Sequence, residues 1–136
     1  MLMSVKKWVT KMFMGEFKHN IDAKGRLIIP SKLREQCGSS VIVTRGFDGC
    51  LALYTQEGWN DYYQKLQMLP KTKKDARNFV RIITSRASEC EFDKLGRINI
   101  PSVLRVEGKL EKECIIVGVG DHVEIWNESL WQDYYD

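Results

Sequence analysis

Short apolar alternations, broken at close intervals by glycine and proline, run through the chain. Arg26-Leu-Ile-Ile and Arg97-Ile-Asn-Ile alternate with a period of two and stop at Pro30 and Pro101, which is the pattern of a half-buried β-strand. In each case an extended apolar segment and a Gly-containing turn come first, so a β-hairpin is predicted at both places. Ser31 and Ser102 follow the prolines and are expected to cap short helices over Lys32 to Gln36 and Val103 to Glu107, with Gly38 and Gly108 as their stops. The β-branched runs Ser40-Val-Ile-Val-Thr44 and Cys114-Ile-Ile-Val117 predict strands, and each leads through a Gly and Asp turn to another alternating strand ending at Tyr54 or Trp126. One segment has a different period. From Thr72 to Arg86, Ala76, Phe79, Val80 and Ile83 fall at i, i+3, i+4 and i+7, which predicts an amphipathic helix with a basic outer face.

The order strand, strand, short helix, strand, strand occurs twice because the sequence itself repeats. Phe17 to Ser31 is echoed by Cys90 to Ser102, with Asp, Gly, Arg, Pro and Ser recurring at an offset of 71 (97 minus 26). Leu51-Ala-Leu-Tyr54 through Trp59-Asn-Asp-Tyr-Tyr63 returns as Val123-Glu-Ile-Trp126 through Trp131-Gln-Asp-Tyr-Tyr135 at an offset of 72 (131 minus 59). Four short strands with one helical turn bury little surface alone, so the copies are expected to interleave about a pseudo-twofold axis into one shared β core. The chain divides accordingly into an N-terminal extension (1–14), a first repeat (15–63), a basic helical linker (64–86) and a second repeat (87–136).

Composition narrows the function classes. At 136 residues and 43% hydrophobic, the chain has room for one or two small cores but not for a large catalytic scaffold with its own substrate domain. The longest apolar runs, such as Leu27 to Pro30 and Cys114 to Val119, are far shorter than a membrane span, and the first residues have no continuous apolar stretch of a secretory leader. A cytoplasmic protein is expected. Cys37, Cys50, Cys90 and Cys114 stand apart without zinc-type spacing, and His19 and His122 are isolated. The thiols read as reduced and mostly buried, and no catalytic residues, metal, cofactor or small-molecule substrate are expected. The net charge of +3 says little by itself. Its distribution says more, because residues 70–86 carry six basic side chains against one acidic, and residues 87–136 carry eleven acidic against five basic.

The chemistry concentrates in the two turns. Asp22, Lys24, Gly25 and Arg26 in the first, and Asp93, Lys94, Gly96 and Arg97 in the second, share an Asp-x-x-Gly-Arg frame. Gly suits a positive φ at the turn, and Asp readily accepts from its local backbone, so Asp22, Gly25, Asp93 and Gly96 read as loop-organising. An arginine at the shoulder of such a turn can fork two hydrogen bonds to a guanine edge or a phosphate, so Arg26 and Arg97, with Lys24 and Lys94, read as DNA-binding. A single copy would read more readily as a surface ion pair; two copies in equivalent places favour the functional reading. Trp8, Trp59, Trp126 and Trp131 are placed for hydrophobic packing rather than as stacking platforms for single strands.

Asp-x-x-x-Arg, an apolar triplet, then Pro and Ser, twice in a chain of this length, resembles the SpoVT/AbrB-like family over roughly residues 14 to 136. Met14-Gly-Glu-Phe resembles a natural start in that family, so residues 1–13 read either as an extension or as the product of an upstream start codon. The resemblance implies a mainly β fold with short helices, in which tandem swapped-hairpin AbrB-like units form one pseudo-twofold β-barrel flanked by amphipathic helices. It implies ring-forming transcriptional regulators of the division and cell-wall gene cluster, so the expected partners are double-stranded DNA at promoter or operator repeats and further copies of the chain. The localisation implied is the cytoplasm, at the nucleoid. The family's DNA-contacting motif falls on Asp22, Lys24, Gly25 and Arg26, and on Asp93, Gly96 and Arg97. The second copy departs from it with Lys94-Leu95 where the first has Ala23-Lys24. The basic helix of one subunit meeting the acidic second copy of its neighbour would close a head-to-tail ring. The competing reading is an assembly or antitoxin-like interaction module that does not bind DNA.

Overall fold

Strands of the two repeats pair with each other at four places in this architecture. The computed structural model describes residues 12–135, so residues 1–11 of the expected extension, with Trp8, lie outside the described residues. The first repeat supplies β1 (Phe13–Asn20), β2 (Arg26–Ile28), α1 (Ser31–Arg34), β3 (Ser40–Arg45) and β4 (Leu51–Tyr54). Helices α2 (Gln56–Gln67) and α3 (Lys74–Arg86) lead to the second repeat, which supplies β5 (Ser88–Glu91), β6 (Arg97–Asn99), α4 (Ser102–Glu107), β7 (Glu113–Gly120), β8 (Val123–Asn127) and a last helix α5 (Glu128–Tyr135).

The larger sheet has the order β1-β7-β8-β4-β3-β5, and β2 and β6 form a separate two-stranded ribbon. Exchanging equivalent strands of the two repeats reverses the six-strand order without changing it, so the expected pseudo-twofold is present. Two antiparallel partners mark where the axis passes. Leu27 opposes Ile98 in the ribbon and Ala52 opposes Glu124 in the sheet, and the members of each pair are equivalent repeat positions.

Interleaving changes the predicted hairpins. The strands before and after each turn do not form a ladder with each other: β1 pairs with β7 and β5 pairs with β3, both across repeats, while β2 pairs with β6. Gly118 allows the crossing strand to come close, since a Cβ there would lie 2.5 Å from the Met14 amide nitrogen. The expected closed barrel is also revised. β1 and β5 stand at the two ends of the strand order without pairing to each other. The ribbon strands have three residues each and are tied at their ends by single bonds, from Ile29 N–H to the Gly96 carbonyl (3.1 Å) and from Ile100 N–H to the Gly25 carbonyl (2.8 Å). They are too short to carry a ladder around the gap.

Side chains from the ribbon and the short helices close the core. Leu27, Ile29 and Leu33, with their equivalents Ile98, Ile100 and Leu104, are buried almost completely against Val41, Leu53, Ile116 and Ile125. Each such side chain contributes about 1.5–3 kcal/mol by leaving water. The serines do not cap: Pro30 and Pro101 occupy the N-cap positions with no side-chain cap bond, and Ser31 and Ser102 are already helical. Proline's fixed φ and missing donor serve a helix start without a side-chain oxygen. Gly108 ends α4 as expected, but α1 ends earlier than Gly38, at Glu35. The linker helix α3 buries Ile83 and leaves Ala76, Phe79 and Val80 half-buried. The Thr44 hydroxyl donates to the Ile83 carbonyl (2.7 Å), and Phe79 stacks on Phe47 at 5.9 Å. Among the described residues no helix is long and apolar enough to cross a membrane.

Candidate nucleic-acid interface

Asp22 gathers the first turn around one carboxylate. Its Oδ1 accepts the amide hydrogens of Lys24 (3.0 Å) and Arg26 (2.9 Å), and its Oδ2 accepts from Arg26 Nε (2.7 Å). The backbone closes the same turn from Gly25 N–H to the Asp22 carbonyl (3.0 Å), with Gly25 at φ +88°. Asp93 repeats the set: Oδ1 accepts from the amides of Leu95 (2.9 Å) and Arg97 (2.9 Å), Oδ2 accepts from Arg97 Nε (2.7 Å), and Gly96 sits at φ +78°. Donors aimed at an ionised carboxylate favour the charged form. The Arg26 amide foremost, then its guanidinium and the Lys24 amide, hold Asp22 below its ordinary 3.8, and the Arg97 and Leu95 groups do the same for Asp93. Each arginine therefore has its Nε fixed. Among the described residues neither Arg26 nor Arg97 uses an Nη group in a hydrogen bond.

The ribbon sets the two arginines on one surface. Because side chains alternate along a strand, Leu27 and Ile98 point into the core, and Arg26, Ile28, Arg97 and Asn99 share the outward face. Arg26 opposes Asn99 and Arg97 opposes Ile28. The arginines are diagonal neighbours, a relation that spaces the residues roughly 7–8 Å apart. Two like charges so close are tolerated because each has its own aspartate. Lys24 and Lys94 are exposed on the loops, though not at equivalent positions: Leu95 occupies the position of Lys24, and Lys94 that of Ala23.

Two further pairs belong to this surface and escaped the sequence reading. Arg34 on α1 lies over the loop of the opposite repeat, where a Cβ on Gly96 would fall 2.5 Å from its Cζ. Its equivalent, Arg105 on α4, lies over the first loop, 2.8 Å from where a Gly25 Cβ would stand, and its Nε is buried without a hydrogen-bond partner among the described residues. The repeat offset of 71 was the available signal, since 105 minus 34 gives the same spacing as the loop arginines. Ile28 and Asn99 were legible as the residues two positions after Arg26 and two after Arg97, on the same face.

Other candidate chemistry lies elsewhere. No group of three or more His, Cys, Asp or Glu suited to a metal occurs among the described residues. Cys37, Cys50, Cys90 and Cys114 are free thiols, and burial pushes Cys37 and Cys114 up to about 11, which keeps the nucleophilic thiolate scarce at neutral pH. His122 stacks on Tyr54 at 5.1 Å and its Nδ1 is 2.7 Å from Asp121 Oδ1, within the β7–β8 turn. Trp126 is buried against Trp131 and Tyr134, and Trp59 packs on Tyr54 and Tyr62, so these rings fill space in the protein's own interior and helix contacts.

Comparison with known proteins agrees with this arrangement in its repetition. The profile of the MraZ protein family, described as antitoxin-like, matches residues 12–82 and again residues 83–136. The transcriptional regulator MraZ of Ligilactobacillus salivarius is 61% identical over 125 residues, covering 92% of this chain and 87% of that protein. The transcriptional regulator MraZ of Limosilactobacillus reuteri is 57% identical over 123 residues, covering 90% of this chain and 87% of that protein. The chain belongs to the MraZ family.

Proposed function

We propose that this protein is a sequence-specific DNA-binding transcriptional regulator that reads double-stranded DNA with the β2–β6 ribbon and its two flanking loops. One observation carries the reading: the same aspartate-fixed arginine occurs at both ends of one short ribbon, and among the described residues the Nη groups of both guanidinia make no hydrogen bond. A two-stranded ribbon fits the major groove, and a fork of two Nη donors matches guanine O6 and N7. The roles follow residue by residue. Arg26 and Arg97 read base edges, Lys24 and Lys94 meet the backbone, and Asp22, Gly25, Asp93 and Gly96 hold the loops in shape. Transcriptional regulators are also what the two relatives are named.

A ribbon of two three-residue strands makes few base contacts, so affinity comes from several subunits binding repeated boxes together. The proposed assembly is a ring-like homo-oligomer in which the basic face of α3 meets the acidic second repeat of a neighbour, in the cytoplasm and at the nucleoid. The boxes lie upstream of the division and cell-wall gene cluster. The units of this proposal are the repeats 15–63 and 87–136, joined by the linker 64–86, with their ribbon and sheet closing as one swapped-hairpin core.

The test is a binding titration of the wild type and the Arg26→Ala/Arg97→Ala variant on the protein's own upstream DNA and on a scrambled duplex, after both are shown to oligomerise alike. Preference for the upstream DNA in the wild type, and its loss in the variant, supports the regulator. Equal binding by both proteins, or no preference in the wild type, turns the assignment to an assembly or antitoxin-like module.

A further inference from the structure

The two ends of the ribbon have one backbone and two chemistries. Each aspartate accepts three bonds in the same pattern, and corresponding distances differ by no more than 0.1 Å (3.0 against 2.9 Å, 2.9 against 2.9 Å, 2.7 against 2.7 Å). The ends therefore offer their arginines to a partner with the same reach. What surrounds those arginines differs. Beside Arg26 stand Asn99, across the ribbon, and Lys24 at the loop tip. Beside Arg97 stand Ile28, across the ribbon and 37% exposed, and Leu95 at the loop tip, 66% exposed. A leucine two-thirds in water at the position where the other repeat has lysine gains nothing from the fold itself.

Base-pair edges distinguish these two surroundings. An asparagine amide matches the paired acceptor and donor of adenine, N7 and N6, whereas an aliphatic side chain finds an apolar partner in the groove only at the thymine 5-methyl. Both ends fit one short box, because a diagonal spacing of roughly 7–8 Å spans about two base-pair steps.

We propose that the ends read different base pairs: Asn99 beside Arg26 takes an adenine edge, and the Ile28–Leu95 pair beside Arg97 takes a thymine methyl. The box bound by one chain is then non-palindromic although the protein is twofold in its backbone. Ile28, Leu95 and Asn99 are specificity-determining residues of the DNA-reading surface. This inference rests on that surface being the reader, and it adds a direction to the reading.

Selection from a random duplex library tests it, using the wild-type oligomer and the variant Ile28→Asn/Lys94→Ala/Leu95→Lys, which gives the second end the side chains of the first. Lys94 and Leu95 lie in an exposed loop, and Ile28 faces outward, so the core is untouched. The wild type is expected to enrich a non-palindromic box, and the variant a palindrome in which the Arg26 half occurs twice. Replacing thymine by deoxyuridine in the wild-type box removes one methyl, and weakens the wild type by about three- to fivefold at one position while leaving the variant on its own box unaffected. A palindromic wild-type box, the same box for both proteins, or indifference to deoxyuridine at every position overturns the inference while leaving the regulator reading intact. Enrichment of no sequence by the wild type overturns both.

Discussion

At Gly25 the requirement for glycine is twofold. The backbone is at φ +88°, and a Cβ would stand 2.9 Å from the Ile100 carbonyl oxygen and 2.8 Å from the Arg105 guanidinium. Ile100 donates its own N–H to the Gly25 carbonyl (2.8 Å), so its backbone cannot move away without stretching the bond that ties the ribbon's end to the loop. A left-handed φ costs a non-glycine residue roughly 1–2 kcal/mol before any contact is counted. Gly25→Ala should therefore destabilise the protein by about 1–3 kcal/mol, whereas Gly38→Ala, with nothing within 4 Å of its Cβ, should be neutral or slightly stabilising. Thermal denaturation of the two variants side by side checks this, and equal melting temperatures would remove the strain argument. These loop residues were legible because the chemistry is local: Asp, Gly and Arg at fixed spacing fix a turn wherever it lies. Arg34 and Arg105 were not, since what they touch is the loop of the opposite repeat.

Elements follow the same division between local and distant causes. The period-two segments mark β2 and β6, whose burial alternates, and the β-branched and apolar runs mark β3 and β4, which are buried at nearly every position, and their equivalents. Which strand pairs with which is not marked in this way, and β1 shows why: most of its residues are exposed, so alternation says nothing about a partner, and either repeat's β-branched run would have accepted it. The cap at α1 was misread because Ser following Pro suits an N-cap by composition, while the proline had already set the helix start. The β7–β8 turn carries a prediction of its own. Burial alone would push His122 down, but the carboxylates of Glu124, at 3.6 Å, and Asp121, at 2.7 Å, outweigh it and hold the imidazole above its ordinary 6.5. A raised folded value means that this stabilisation is fully present below pH 6.5 and disappears as the pH rises through the elevated value. The melting temperature of the wild type should fall further than that of His122→Gln between pH 6 and pH 9. Parallel profiles would show that the imidazolium contributes nothing.

Across the whole molecule, the pseudo-twofold gives a symmetric backbone on which charge is distributed asymmetrically. Six basic and one acidic residue in 70–86 face eleven acidic and five basic in 87–136, and within one chain these halves already meet where Arg86 pairs with Glu107. The proposed head-to-tail ring extends that complementarity between subunits. Reversing Lys73, Lys74, Arg77 and Arg81 to Glu should reduce the oligomer to smaller species in light scattering after size-exclusion chromatography, and an unchanged mass would exclude the contact. The central claim is that the two fixed guanidinia read bases by their shape as well as their charge, and Arg26→Lys/Arg97→Lys isolates that shape. Lysine keeps the positive charge and loses the fork. Binding of wild type and this variant to upstream and scrambled DNA across a range of salt separates the two contributions, since the salt slope counts neutralised phosphates and the ratio between duplexes counts base reading. The account predicts a nearly unchanged slope and a preference reduced by at least about tenfold, from a loss of roughly 1–3 kcal/mol per fork. An unchanged preference would contradict it and leave the loops as structural turns.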